Sequence, residues 1–243
     1  MFKNYLRSLT LALAIFSLSG CGIIDMIYLP PAEDTAQEIF EAGNDAMSEK
    51  NYVRAVELYN KLRDTCPFSP YTVDAELALA DAYYLDEEYV LAAETYKDFE
   101  SLHPRHEATP YVIYQTGMSL MKQFRSIDRA TTILQEAHEY FARLQQVYPD
   151  SPYAKDAGEK MHTCRRLMAE HELYIADVFW HMEKYGPAWR RYEYVSENFP
   201  DVPEVASHAK EKSLAAYHYY KEEQGRLTRE KRQGSWRNWF TWL

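Results

Sequence analysis

The chain is poor in the residues that break regular structure. Eight glycines and eleven prolines in 243 residues make about 8%, against a usual ~12%, and a fold of many short strands needs more turns than that supplies. Three cysteines are too few for a disulfide scaffold or a four-cysteine zinc site. The formal charge of −10 lacks the electropositive footprint of a nucleic-acid binder. No stretch approaches the 18 apolar residues of a membrane span. Absent too are G-x-S-x-G, G-x-x-x-x-G-K-[ST], H-E-x-x-H and G-x-G-x-x-G. The eight histidines are scattered; His103 and His106 form an H-x-x-H that reads as loop and cap residues, and Cys66 and Cys164 stand nearly a hundred residues apart. The expectation is a protein with no catalytic residues, no metal and no cofactor.

What is present is apolar and aromatic. Hydrophobic residues reach 47% and tyrosine 21 residues, enough for a packed core and too much for a disordered chain. Met1–Ser8 carries Lys3 and Arg7 and no acid, and Leu9–Leu18 is apolar except for Thr10 and Ser17. Ten residues rise only ~15 Å as a helix, half a bilayer core, so this is the h-region of a signal peptide. It ends in Leu18-Ser19-Gly20-Cys21, an aliphatic residue, two small ones and a cysteine, which is similar to a bacterial lipobox. Cleavage after Gly20 removes Lys3 and Arg7, taking the charge from −10 to −12, and leaves Cys21 as the lipid attachment site. By the same likeness Gly22 favours the outer membrane, and the body faces the periplasm. Residues 21–32, with Pro30-Pro31, read as a short extended tether.

The body is repetitive. Four segments share a small residue followed by positions +3, +4 and +7 and a proline at +12. They are Ala55, Leu58, Tyr59, Leu62, Pro67; Ala92, Thr95, Tyr96, Phe99, Pro104; Ala137, Tyr140, Phe141, Leu144, Pro149; and Ala188, Arg191, Tyr192, Val195, Pro200. The 0, 3, 4, 7 spacing is one face of a helix, and proline ends it. Twelve residues upstream stands another small residue, Gly43, Ala80 or Ala176; in the third unit it is Gly117, twenty upstream, which places an eight-residue insertion around Gln123–Thr131. Two antiparallel helices per unit is the tetratricopeptide (TPR) pattern. The expected fold is an all-α TPR superhelix of about five hairpins. It spans 33–225, with three units over 33–147 and two over 148–225, and a basic tail follows at 226–243. Ser69-Pro70-Tyr71, Ser151-Pro152-Tyr153 and the looser Thr109-Pro110-Tyr111 read as N-cap, first-turn proline and a ring over the preceding helix end. Tyr153–Lys184 reads as one long helix of about 48 Å, and a fifth unit begins near Pro203.

In such a solenoid the first helices line a concave face. Helical offset from the small residues places Phe40, Asn44 and Met47, then Leu77, Asp81 and Tyr84, then Tyr114, Met118 and Met121 there, an adaptable apolar surface suited to an extended peptide. Half of this set is equally explained by packing between repeats. The tail crowds Trp236, Trp239, Phe240 and Trp242 behind basic residues, which suits a membrane interface or a partner's pocket; folding back on the last repeat is the other reading.

Pro67-Phe68-Ser69-Pro70-Tyr71, Ala82-Tyr83-Tyr84, Tyr114-x-x-Gly117 and Tyr148-Pro149-Asp150-Ser151-Pro152-Tyr153, with the lipobox at Cys21, together resemble the BamD family of outer-membrane assembly lipoproteins. Cys66, where an aromatic is usual, and the tryptophan-rich tail depart from it. The resemblance implies a non-enzymatic subunit of the β-barrel assembly machine. Its first three units would receive unfolded outer-membrane proteins, and its last two would hold the barrel-forming subunit, BamA, beside other subunits. Arg190 and Arg191, between Trp189 and Tyr192, are the candidate contacts to BamA. A TPR lipoprotein of another envelope machine, such as a secretin pilotin or a peptidoglycan-associated scaffold, is the alternative.

Overall fold

The structure, a computed structural model, describes residues 35–233. Cys21 with its lipobox and tether, and Trp236, Trp239, Phe240 and Trp242, lie outside the described residues. Those described form nine helices and no strand: α1 (Ala36–Ser48), α2 (Tyr52–Thr65), α3 (Thr72–Leu85), α4 (Tyr89–Leu102), α5 (Thr109–Gln123), α6 (Thr132–Val147), α7 (Ala154–His181), α8 (Tyr185–Asn198) and α9 (Pro203–Gln233). Each packs on the next in sequence, which is the stack of antiparallel hairpins that the periodicity predicts. Ala55, Ala92, Ala137 and Ala188 are fully buried, as are the +4 rings of Tyr59, Tyr96, Phe141 and Tyr192. The second helices end at Thr65, Leu102, Val147 and Asn198, two residues before each proline.

Small upstream residues make room for those rings. A Cβ on Gly43 would lie 2.5 Å from the Tyr59 ring, and one on Gly117 2.7 Å from the Phe141 ring. Hairpins one, two and four turn on a left-handed residue, Lys50 (φ 60°), Glu87 (φ 62°) and Glu183 (φ 58°). Each turn closes with paired bonds back to the first helix, for example Glu87 N–H to the Tyr84 carbonyl at 3.2 Å and Glu88 N–H to that of Tyr83 at 3.0 Å. Such helix ends favour glycine, and a side chain there costs about 1 kcal/mol or more. Glu87→Gly is therefore expected to raise the unfolding free energy by about 0.5–1 kcal/mol, read as a higher urea midpoint at unchanged slope; a lower midpoint would contradict it. In the third hairpin residues 124–131 replace this turn, where the sequence places the insertion.

The helix starts differ from expectation. Ser69 and Ser151 do not cap α3 and α7. Their hydroxyls accept from Tyr71 N–H and Tyr153 N–H at 3.3 Å, and the helices begin only after those tyrosines. Two consecutive turns fill the gap, with Ser69 N–H to the Cys66 carbonyl at 3.0 Å and Thr72 N–H to that of Ser69 at 3.1 Å. Thr109 is likewise the first residue of α5 rather than its cap, and its hydroxyl donates to the His106 carbonyl at 2.6 Å. The Ser/Thr-Pro-Tyr element is thus an inter-hairpin turn. By contrast, Thr35 forms a full capping box with Glu38 at the start of α1.

With 28 residues α7 spans about 42 Å and serves two units. Ala157 and Cys164 complete the core of α5 and α6, while Ala169 and Ala176 pack with α8 and α9. The fifth unit begins at Pro203, and its first helix runs unbroken through Gly225 to Gln233; a second helix for it is not among the described residues. Cys66 and Cys164 are both free thiols, and burial pushes that of Cys164 up to about 11.

Candidate functional site: the first-helix face

The residues placed on this face by sequence split into two roles. Phe40, Met47, Leu77, Tyr84, Tyr114, Met118 and Met121 are half-buried against the hairpin cores, so each offers an edge rather than a whole side chain. Asn44 and Asp81 serve as acceptors inside their own hairpins. Tyr59 Oη donates to Asn44 Oδ1 at 2.8 Å, Tyr96 Oη to Asp81 Oδ1 at 2.5 Å, and Tyr192 Oη to Asp177 Oδ1 at 2.5 Å. In each pair the acceptor directly follows the small residue and the donor lies fifteen residues on. Each bond satisfies the hydroxyl of a ring buried in the hairpin.

Asp81 is the hub. It also accepts from Tyr111 Oη at 2.7 Å, and Gln115 Nε2 donates to that same hydroxyl at 2.9 Å. Burial lifts the Asp81 carboxyl above its ordinary 3.8, against the lowering effect of the two tyrosine donors. Between the unfolded and the raised folded value the folded state binds more protons. Stability therefore falls as pH rises through that window, and the penalty persists at neutral pH. Asp81→Asn keeps an acceptor for the tyrosines and removes the charge, as Asn44 does in the first hairpin. It is expected to flatten the pH dependence of the unfolding midpoint above pH 4 and to leave the midpoint at pH 7 no lower. A steeper profile would contradict this.

Sequence reasoning missed how far the rings join across hairpins. Phe40 meets Tyr71 at 5.6 Å between centroids and Tyr96 meets Tyr111 at 6.3 Å, while Tyr84 meets Tyr89 at 5.5 Å within the second hairpin. Tyr153 then packs on Tyr111 at 5.6 Å and stacks on Tyr114 at 5.4 Å, and Tyr114 Oη donates to Asp156. The proline-tyrosine turns at Pro110-Tyr111 and Pro152-Tyr153, together with Glu107 and Ser151, line an open cleft of about 580 Å³. A second, of about 540 Å³, lies where the insertion meets the α3–α4 turn, with Glu87, Tyr89, Phe124, Arg125 and Arg129 in its wall. The recurrence of the Pro-Tyr turn was the available signal for the first cleft.

The other candidates are separated by the structure. Arg191 pairs with Glu172 on α7, while Arg190 is exposed and makes no ion pair among the described residues. Their neighbour Trp189 packs on Tyr217 and Tyr220 of α9 at 5.0 and 5.8 Å. His103 Nε2 lies 2.7 Å from Glu76 Oε2, and His106 Nδ1 accepts from Ala108 N–H at 3.2 Å. No group of three metal-ligating side chains gathers among the described residues. None of the described helices is long and apolar enough to cross a membrane.

Stacked hairpins with aromatic clusters at their seams and open clefts beside them define a TPR-type scaffold, a class built to hold other chains. The chain belongs to the YfiO family, described as outer membrane lipoprotein, whose model matches residues 32–232. It is 29% identical over 223 residues to the outer membrane protein assembly factor BamD of Vibrio cholerae serotype O1, covering 87% of this chain and 90% of that one. With the BamD of Neisseria meningitidis serogroup A it shares 27% over 223 residues, covering 88% and 82%. With that of Pasteurella multocida it shares 28% over 210 residues, covering 81% and 78%. Among solved structures it is similar to a thermophilic TPR protein of Thermus thermophilus, at a TM-score of 0.40 and 17% identity, covering 74% of this chain and all of that one.

Proposed function

We propose that this chain is a non-enzymatic scaffold of the outer-membrane β-barrel assembly machine, lipid-anchored through Cys21 and facing the periplasm. The observation that carries the reading is the family match over residues 32–232, with relatives named as outer membrane protein assembly factors across most of their own length. The physical arrangement suits the task. An extended, unfolded barrel strand presents alternate apolar and aromatic side chains, and hairpins one to three offer ring edges from Phe40 to Tyr153, methionines that adapt their shape, and open clefts. Hairpin four and α9 hold the periplasmic part of BamA, with Arg190 as the exposed cation at that contact and Arg191 fixed by Glu172 as its support.

The test is a detergent pull-down of the tagged, lipidated protein with identification of what co-purifies. A large outer-membrane barrel with periplasmic domains is expected, and Arg190→Glu is expected to weaken its recovery at unchanged folding. Recovery of a secretin or of peptidoglycan enzymes without such a barrel would overturn the reading.

A further inference from the structure

Six of the ten arginines in residues 35–225 pair with carboxylates: Arg54 with Glu57, Arg63 with Asp64, Arg143 with Glu100, Arg165 with Asp201, Arg166 with Glu170 and Arg191 with Glu172. The end of α9 differs. Its last buried side chain is Ala216, and its last ring contacts with the body are made by Tyr219 and Tyr220. A Cβ on Gly225 would meet nothing within 4 Å, and every residue from Gln224 to Arg232 is exposed. This exposed stretch carries Arg226, Arg229, Lys231 and Arg232, none in an ion pair among the described residues; Arg226 and Arg229 share the wall of an open cleft with Glu183, Glu222 and Glu223, and within the stretch the one acid is Glu230. Beyond it, outside the described residues, the sequence holds Trp236, Trp239, Phe240, Trp242 and Leu243, with Arg237 as the only charged side chain.

We propose that this C-terminal arm, residues 226–243, binds the surface of an anionic phospholipid membrane. The chemistry favours lipid over a protein groove. A helix that docks in a groove needs apolar anchors at i, i+3, i+4 and i+7, and from Gln224 to Arg232 the only large apolar side chain is Leu227. Unpaired guanidinium and ammonium groups complement headgroup phosphates, and indole rings settle at the headgroup level. Residues 231–243 hold Lys231, Arg232 and Arg237 and no acidic side chain, so no side chain there repels an anionic surface. The rest of the mature chain is acidic, so the electrostatic attraction to such a surface comes from the arm. A lipid at Cys21 and this arm would act as two anchoring signals, which together hold far better than one.

The mature chain with Cys21→Ala, and so without acyl groups, is mixed with vesicles of phosphatidylglycerol and phosphatidylethanolamine and sedimented. It is expected to co-sediment, to be released by raised salt, and to bind phosphatidylcholine vesicles at least about tenfold more weakly. Two variants, Arg226→Gln/Arg229→Gln/Lys231→Gln/Arg232→Gln and Trp236→Ala/Trp239→Ala/Trp242→Ala, are expected to lose about tenfold or more in vesicle affinity with unchanged circular dichroism. Failure of the parent to co-sediment, or parent-like binding by both variants, would overturn the proposal. So would an arm needed for recovery of a protein partner but not for vesicles.

Discussion

Tyr96→Ala is expected to cost about 3–5 kcal/mol, the range for deleting a large ring from a packed core. The ring is fully buried with Ala92, Phe99 and Val112, and Tyr111 packs edge-on at 6.3 Å. Its hydroxyl is one of two donors to Asp81, so the truncation opens a cavity and also strips a buried carboxylate. Tyr96→Phe removes only the donor. Tyr111 still serves Asp81, so about 1–3 kcal/mol is expected. Against a typical total of about 5–15 kcal/mol, the alanine variant loses between about a fifth and all of the stability. Urea unfolding followed by circular dichroism checks both. Equal losses for Ala and Phe would mean that the ring is not the wedge between α3 and α4.

Gly117→Val is the second large effect. Glycine inside a helix ordinarily costs up to about 1 kcal/mol relative to alanine, so Gly117 stands against local propensity. The reason is steric. A Cβ there would lie 2.7 and 2.8 Å from two atoms of the Phe141 ring, and that ring is fully buried, so it must shift within a packed core to admit any side chain. Overpacking of this kind costs about 1–3 kcal/mol, with Val above Ala. Adding Phe141→Leu to Gly117→Val should recover part of the loss, with a coupling energy of about 0.5–3 kcal/mol in a double-mutant cycle. Gly225→Ala, where no atom lies within 4 Å, should instead be neutral or stabilising. Equal effects at the two glycines would contradict the account.

What the sequence made legible was set by local geometry. Proline and the 0, 3, 4, 7 spacing act within one helix, so α2, α4, α6 and α8 and their buried faces followed directly. The insertion in the third unit followed from register alone. The polar bridges did not, because each joins residues fifteen apart across a hairpin, and a first helix read by offset looks the same whether its polar residue faces a ligand or a tyrosine. The signal was nevertheless present in the repeats. Asn44 and Tyr59, Asp81 and Tyr96, and Asp177 and Tyr192 are polar pairs, and the one unit with Phe141 has Met118 at the acceptor position. The hydroxyl and the acceptor come and go together.

Similar reasoning explains the helix starts and the arginines. Ser-Pro-Tyr matches a capping pattern residue by residue, yet after a proline-terminated helix the chain must reverse, and turns occupy those residues before α3 and α7 begin. Arg191 stands out in its own helix as a charge at a packing position, but its partner, Glu172, lies on α7 nineteen residues upstream. Only the fold distinguishes it from Arg190.

The central claim is that the first-helix face of hairpins one to three receives unfolded barrel precursors. Site-specific photocrosslinking tests it most directly. A photoreactive residue is placed at Asn44, Tyr84 or Met121 on that face, and at Glu57 or Glu139 on the second helices, which are exposed, in cells producing an outer-membrane barrel protein. Crosslinks to the unfolded precursor from the first set and few from the second are predicted. Precursor crosslinks that favour Glu57 and Glu139, or none from any first-helix position, would contradict the account.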